Sequence, residues 1–252
     1  MKYLLAILLI CCPVNSWATI TAIQSFGDYG GSNLVNNVTA SAITTGSALI
    51  VTVSFCDGGS CSNSVAGLTA TVTATGCSFS LAQNGDFSTV AFRTFIALNC
   101  SSGATLITST LSGSFVSGPN FHNTTGGEFS NVLTASALDQ VGDEDSDETP
   151  TASVDTDGAT AQANELVYGA ILSFDATITT GAGFTVLTSL TTGGGGFPQH
   201  DEYKTVTSTG VQTATWGITG ADTYSLRNII TLKDVVAGGS TSSNFALQRR
   251  RR

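Results

Sequence analysis

The sequence predicts an all-β protein, a jelly-roll-like sandwich of two sheets with very little helix. Charged residues make up 11% of the chain, against about 25% in typical domains. Segments in which apolar and polar residues alternate recur along the chain, and clusters of Gly, Asn, Asp and Ser separate them. Alternation with a period of two is the pattern of a half-buried strand, and the clusters are typical of turns. No segment shows a sustained apolar stripe with helical spacing.

The predicted strands are rich in Thr, Val and Ile, which suit a pleated and half-buried surface. Each strand has one polar and one apolar face, so a second sheet must cover the apolar one. The clearest predicted strands are ITAIQSF from 20, SALIVTVSF from 47, LTATVTAT from 68, STVAFRTFIAL from 88, ATLITSTLS from 104, EFSNVLTASAL from 128, NELVYGAILSF from 164, GFTVLTSL from 183, EYKTVTS from 202, VQTATWGIT from 211 and SLRNIITLKD from 225.

The N-terminus predicts export. Lys2 is followed by LLAILLICCPV, an apolar run of about eleven residues that matches the core of a signal peptide and is too short to span a bilayer. Small residues at Ser16 and Ala18 place the cut before Thr19. We therefore expect a signal peptide over 1–18 and a secreted or otherwise extracytoplasmic product, at a cell surface or in a periplasm. No later apolar stretch predicts a membrane span.

Four cysteines remain after the predicted cut, and an even number in an oxidising compartment indicates disulfides. The predicted pairs are Cys56 with Cys61, which closes the turn CDGGSC, and Cys77 with Cys100. A four-thiolate zinc site is the alternative, but such sites normally use two closely spaced pairs of cysteines.

Acidic residues outnumber basic ones by 18 to 9. This charge argues against nucleic acid and anionic membranes as partners. The segment 237–252 has the composition of a flexible tail and ends in the cluster Arg249 to Arg252. A disordered end, a sorting or processing signal and an electrostatic clip onto an acidic partner all remain open for it.

We expect residues 19–236 to form a single domain with two similar halves, 19–125 and 126–236. SALIVTVSF and FRTFIALNCSSGATLITSTLSG in the first half resemble NELVYGAILSF and EYKTVTSTGVQTATWGITG in the second. Duplication and shared β composition both explain this similarity. Three segments, 118–127, 143–158 and 191–199, are predicted to be loops.

The second half contains a set of residues that follows a known pattern of short strand and turn motifs. These residues are Asn164, Glu165, Leu166, Val167, Gly169, Gly181, Gly183, Phe184, Glu202, Tyr203 and Val206. With them, the second half resembles an uncharacterised, jelly-roll-like β-sandwich module of bacterial secreted and phage-associated proteins. The resemblance implies an exported or virion-associated module that binds or builds surfaces, and it implies no catalytic residue. The four cysteines and the acidic segment depart from the usual pattern.

Calcium is the one cofactor that the sequence suggests, because carboxylates at alternate positions can wrap this ion. Glu148 and Val154 stand where an EF-hand loop requires Gly and Glu. A solvated, repelling acidic loop is the alternative. The candidate ligands are Asp143, Asp145, Asp147, Asp155 and Asp157.

The predicted function is that of a non-enzymatic, secreted or surface-displayed protein for adhesion, assembly or carbohydrate contact. Its partner would be a glycan or a surface protein, or a further copy of the chain. The candidate ligand-binding residues are Trp216, Tyr203 and Tyr224, for which packing in the core is the alternative.

Two other functions stay open. A secreted hydrolase would use paired carboxylates, with Glu128, Glu165 and Glu202 each predicted to begin a strand. A purely structural, self-assembling subunit is the third possibility. With only His122 and His200 present, and with no recognised catalytic motif, the sequence favours a protein that is not an enzyme.

Overall fold

The computed structural model describes residues 19–147, 151–174, 176–191, 197–220 and 224–235. The predicted signal peptide and the tail 237–252 lie outside these residues. The described residues form sixteen strands and contain no helix. The all-β sandwich prediction is confirmed, although the structure has four sheets where the sequence predicted two.

The first eight strands form the first module. The five-stranded sheet has the order β1-β8-β3-β6-β5, and the three-stranded sheet has the order β2-β7-β4. All strand pairs are antiparallel. The strands are β1 Thr21–Tyr29, β2 Val35–Thr39, β3 Ala48–Asp57, β4 Thr69–Thr73, β5 Phe79–Asn84, β6 Val90–Ala97, β7 Leu106–Ser112 and β8 Pro119–Ser130.

The remaining eight strands form the second module. The five-stranded sheet has the order β9-β16-β11-β14-β13, and the three-stranded sheet has the order β10-β15-β12. The strands are β9 Leu138–Asp147, β10 Thr151–Asp155, β11 Asn164–Ser173, β12 Ala176–Thr179, β13 Thr185–Leu190, β14 Gln199–Thr207, β15 Thr213–Gly220 and β16 Tyr224–Lys233.

The two modules have the same topology. When β1 is matched to β9, β2 to β10 and so on, both sheet orders coincide. Each module is a jelly roll, in which two antiparallel sheets enclose a core. The segments whose sequences resemble each other fall on matched strands, namely β3 with β11, β6 with β14 and β7 with β15.

The two five-stranded sheets pack against each other, so the molecule has four layers with a small sheet on each outside. The core between the large sheets combines residues of both modules, such as Ile50, Phe92, Leu166 and Ile230. A separate core lies between the large and the small sheet of each module. Strand β3 is therefore buried on both faces, which explains its nearly continuous apolar sequence.

One boundary and two loops predicted from the sequence are wrong. The division between halves at 125/126 falls inside β8, and the turn between the modules instead lies between β8 and β9. The predicted loop at 118–127 is part of β8, a central strand. The predicted acidic loop at 143–158 is largely a pair of strands, with its first carboxylates on β9, the edge strand of its sheet. Charges on an edge strand oppose pairing with another chain.

Both predicted cysteine pairs are confirmed. Cys56 lies opposite Cys61 with a Cα–Cα distance of 5.2 Å, and Cys77 lies opposite Cys100 with a Cα–Cα distance of 4.6 Å. The Cys56–Cys61 pair lies in the core between the modules. The second pair joins segments that flank the core of the first module.

Replacing Cys77 and Cys100 together by alanine is expected to lower the free energy of unfolding by about 3 kcal/mol, because the bond closes a loop in the unfolded chain. Their sequence separation is 23 residues. Urea unfolding of the oxidised protein measures the change. The wild-type protein in a strong reductant is the control and should lose at least as much. An unchanged urea midpoint in the variant would argue against this bond.

Candidate functional site

The contact between the two five-stranded sheets is called the seam. An aromatic cleft opens at one end of it. It has a volume of about 200 Å³ and is lined by Phe87, Thr89, Val90, Phe174 and Tyr224. The first three residues belong to the first module and the last two belong to the second. The cleft therefore exists only because the two large sheets pack together.

The rings of the cleft meet at tilted and edge-to-face angles. The ring centroids of Phe87 and Tyr224 lie 5.1 Å apart with an interplanar angle of 44°. Those of Phe174 and Tyr224 lie 5.7 Å apart with an angle of 65°. Phe87 is 39% exposed. Phe174 also packs edge to face on Phe197, and Phe197 stacks on Phe121.

Backbone hydrogen bonds hold the cleft residues in place. Phe87 and Val90 exchange two bonds, of 2.8 Å and 2.6 Å, across the turn that leads into β6. Tyr224 begins β16, and its hydroxyl donates to Asp145 Oδ2 on β9 at 2.9 Å. The Phe174 N–H donates to the Tyr224 carbonyl at 3.3 Å. These bonds fix the aromatic wall of the cleft, and one of them joins the wall to the Asp145 carboxylate.

The three aromatic residues that the sequence predicted to bind a ligand lie in three different environments. Tyr224 lines the cleft. Trp216 is wrong as a surface platform, because it is 0% exposed in the core between β11 and the small sheet of the second module. Tyr203 packs edge to face on Phe129, with ring centroids 5.5 Å apart, and lines a different concavity beside Gln24.

The candidate calcium ligands lie on β9, at the end of β10 and in the segment after β10, and these two strands belong to different sheets. Asp143, Asp155 and Asp157 line a concavity of about 380 Å³ together with Glu144. Asp145 instead accepts the Tyr224 hydroxyl. Partial burial raises the pKa of Asp143, and the charge of Asp157 adds to this shift.

Within the described residues, no group of three or more His, Cys, Asp or Glu side chains is placed to hold one ion. Of the candidate ligands, Asp147 is the last residue of β9, and residues 148–150 lie outside the described ranges. Calcium binding therefore stays a prediction.

The three carboxylates proposed for hydrolysis are buried at separate places. Glu128 is 0% exposed and accepts from Gln24 Nε2 and the Thr44 N–H. Glu202 lies in the middle of β14, not at a strand start, and its Oε2 accepts from the Gly181 N–H at 2.8 Å. Burial raises the pKa of Glu202 to about 7. Glu128 and Glu202 thus have separate hydrogen-bond partners, and neither lines the aromatic cleft. The hydrolase alternative stays a prediction.

Glu165 belongs to a second acidic cluster, which lies at the start of β11, the end of the strand farther from Phe174 and the aromatic cleft. Burial raises its pKa to about 7, and the neighbouring Asp139 carboxyl adds to this effect. Asp139 in turn forms an ion pair with Lys233, with Nζ and Oδ1 3.2 Å apart. Asp234 lines the same small cavity as Glu165.

His122 and Ser109 form a buried pair in the core of the first module. His122 Nε2 lies 2.7 Å from Ser109 Oγ, and His122 Nδ1 lies 3.0 Å from the Asn33 carbonyl oxygen. This is the geometry of an activated nucleophile, but both residues are 0% exposed. Burial lowers the pKa of His122. The pair joins strands β7 and β8 and has no route for a substrate.

A polar layer lies at the centre of the seam. Thr52 Oγ1 is 2.8 Å from the Tyr168 hydroxyl, and Ser54 Oγ donates to Gln199 Oε1 at 2.6 Å. Each of these bonds links the two modules. Asp201 lies in the same layer with its carboxyl fully buried, and burial raises its pKa to about 7. Such bonds fix the register of the two sheets, because sliding would leave buried polar groups unpaired.

No protein-family model, curated protein or solved structure matches this chain. The resemblance to a module of secreted and phage-associated proteins therefore stays a prediction. No helix long and apolar enough to cross a membrane occurs in the part of the chain that the structure describes.

Sequence reasoning missed Phe87 and Phe174 as site residues. Phe87 stands in the turn-like segment NGDFST, and Phe174 follows the apolar strand β11. An aromatic residue in a polar turn is a weak sign of a binding surface. Only the packing of the modules shows that both rings contact Tyr224 and line one cleft.

Proposed function

We propose that the protein is an exported, non-enzymatic binding protein that holds carbohydrate in the aromatic cleft. The observation that carries this proposal is the set of three rings, Phe87, Phe174 and Tyr224, around an open concavity, with the Tyr224 hydroxyl bonded to the Asp145 carboxylate. Aromatic rings present flat apolar faces. Sugar rings offer C–H groups to such faces and hydroxyls to carboxylates.

The size of the cleft and the net charge of the protein limit the class of ligand. Pockets for drug-sized ligands enclose about 300 to 1,000 Å³, whereas this cleft is smaller and open. It suits a single ring of a longer chain. The protein has a net charge of −9, so acidic polysaccharides are repelled. We therefore expect neutral polysaccharides as ligands.

Export is supported by the two cysteine pairs and by the signal sequence, since disulfides persist mainly in oxidising compartments. A role in adhesion follows from the same cleft, because a rigid protein outside the cell that binds glycans attaches to surfaces that carry them.

Affinity electrophoresis in gels that contain neutral polysaccharides tests the proposal. The protein that begins at Thr19 is expected to be retarded by at least one of them. Phe87→Ala and Tyr224→Ala are each expected to weaken this binding about tenfold, or ~1.4 kcal/mol, through loss of ring contacts.

Leu106→Ala is the matched control. Leu106 is an exposed apolar side chain on β7 of an outer sheet, and its loss should leave the retardation unchanged. Retardation that is equal in all three variants would place binding elsewhere. Release of reducing ends from a retained polysaccharide would show a hydrolase instead.

A further inference from the structure

A small cavity lies beside the first described residue of the chain. Its volume is about 60 Å³, which suits a small polar group. Thr19 and Ile20 line one side, and Glu165 and Asp234 contribute carboxyl groups to the other. The cavity lies away from the aromatic cleft, to which it contributes no residue.

Both carboxyl groups of this cavity have an oxygen without a hydrogen-bond partner among the described residues, namely Glu165 Oε2 and Asp234 Oδ2. Each residue is 1% exposed. The other oxygens are satisfied, since Glu165 Oε1 accepts from the Gln162 N–H at 3.3 Å and Asp234 Oδ1 from Gln162 Nε2 at 2.9 Å. A buried carboxyl with an open acceptor calls for a donor, and a cationic donor satisfies it best.

The nearby Lys233 does not fill this role. Its Nζ forms an ion pair with Asp139 Oδ1 at 3.2 Å. With the chain uncut at Thr19, burial raises the pKa of both Glu165 and Asp234. Raised values are what carboxyl groups show when desolvation is not balanced by a cation.

The position of Thr19 is fixed by its neighbours. Its carbonyl oxygen accepts from Asn131 Nδ2 at 2.9 Å and from Thr21 Oγ1 at 3.2 Å. The next side chain, Ile20, is 4% exposed and belongs to the core between the modules. The start of the described chain is therefore held at the mouth of the cavity.

We propose that cleavage before Thr19 creates an α-ammonium group that binds in this cavity and pairs with Glu165 and Asp234. The signal peptidase hydrolyses the Ala18–Thr19 amide with one water molecule, which leaves a carboxylate on Ala18 and an ammonium on Thr19. A neutral amide with one N–H donor becomes a cation with three donors. Removal of the signal peptide thus completes the fold as well as releasing the protein.

A comparison of two chains tests this proposal, one beginning at Thr19 and the other at Ala18, both made by removing a cleavable tag. We expect the equilibrium constant for unfolding at pH 7 to be about tenfold larger for the chain that begins at Ala18, as measured in urea. In the Glu165→Gln, Asp234→Asn double variant, the two chains should unfold alike. Asp155→Asn, an exposed carboxylate on β10, is the control and should preserve the difference.

Equal midpoints for the two wild-type chains would overturn the proposal, and so would a difference that persists in the double variant. If the double variant does not fold, the pKa of the Thr19 amine decides, measured by nitrogen-15 chemical shifts. A value above the usual range of about 7.7 to 8.0 supports the ion pair, and a value within that range refutes it. Intact mass of the exported protein checks separately that the chain begins at Thr19.

Discussion

When the pH falls from 8 to 5.5, the unfolding free energy of the wild-type protein is expected to rise by about 2 kcal/mol more than that of an Asp201→Asn variant. The folded pKa of Asp201 is raised from 3.8 to about 7 because its carboxyl is buried between the modules. The folded protein therefore binds this proton more tightly than the unfolded chain. The stabilisation is complete below the unfolded pKa and is lost as the pH rises through about 7.

Other groups change the total pH dependence but not the difference between these two proteins. Burial raises the pKa of Glu202 to about 7, which acts in the same direction as Asp201. Burial lowers the pKa of His200 to about 4, so its contribution is lost as the pH falls below 6.5. The wild-type protein should be more stable at pH 5.5 than at pH 8.

Urea unfolding at several pH values from 5 to 8 measures the Asp201 effect. Leu106→Ala, which removes no titratable group, is the control, and its pH profile should run parallel to that of the wild-type protein. Parallel profiles for Asp201→Asn and the wild-type protein would mean that Asp201 is not buried as described.

A Trp216→Ala variant is expected to lose about 3 to 5 kcal/mol of unfolding free energy, because it leaves a large cavity in a closed core. Trp216 is 0% exposed. Its ring packs so closely on Gly169 that a Cβ atom there would lie 2.9 Å from Trp216 Cζ2. Thermal and urea unfolding measure the loss.

Tyr224→Ala is the informative comparison for Trp216→Ala. Tyr224 is only partly buried, so its removal should lower stability much less while weakening binding of polysaccharide. The control Leu106→Ala should stay within about 0.5 kcal/mol of the wild-type protein. Similar stability losses at positions 216 and 224 would contradict the assignment of one residue to the core and the other to the cleft.

The strands that the sequence predicted well are those with a simple apolar pattern. SALIVTVSF became β3 and NELVYGAILSF became β11, because β-branched residues buried on both faces leave a continuous apolar run. The cysteine pairs were also predictable, since four cysteines in a chain that is predicted to be exported allow few arrangements. The number of sheets was not, because Thr52 and Ser54, which bond to the second module, look in the sequence like the polar positions of a half-buried strand.

The same polar seam explains why β8 was mistaken for a loop. Its sequence PNFHNTTGGEFS contains the residues of a turn. Asn123 and Thr125 face the other module and bond across the seam, Asn123 to the Phe197 carbonyl and Thr125 to Gln199. Gly126 is required because a Cβ atom there would collide with the Ile50 carbonyl oxygen. Such reasons are tertiary and leave no periodic pattern.

The candidate site was predicted only in part. Tyr224 was nominated from its residue type, but Phe87 and Phe174 come from distant segments, and each contacts the Tyr224 ring only in the folded protein. Trp216 was nominated for the same reason as Tyr224 and is wrong because it closes the core of the second module. Residue type alone does not distinguish a ring in a core from a ring in a cleft.

The most direct test of the account is a map of carbohydrate binding onto the two modules by nuclear magnetic resonance. A polysaccharide retained in affinity gels should shift the ring resonances of Phe87, Phe174 and Tyr224 and the methyl resonances of Val90, and should leave Leu106 unchanged. Shifts at residues of both modules would show that the seam builds the site. Shifts confined to the outer sheets, with the four cleft residues unaffected, would contradict the account.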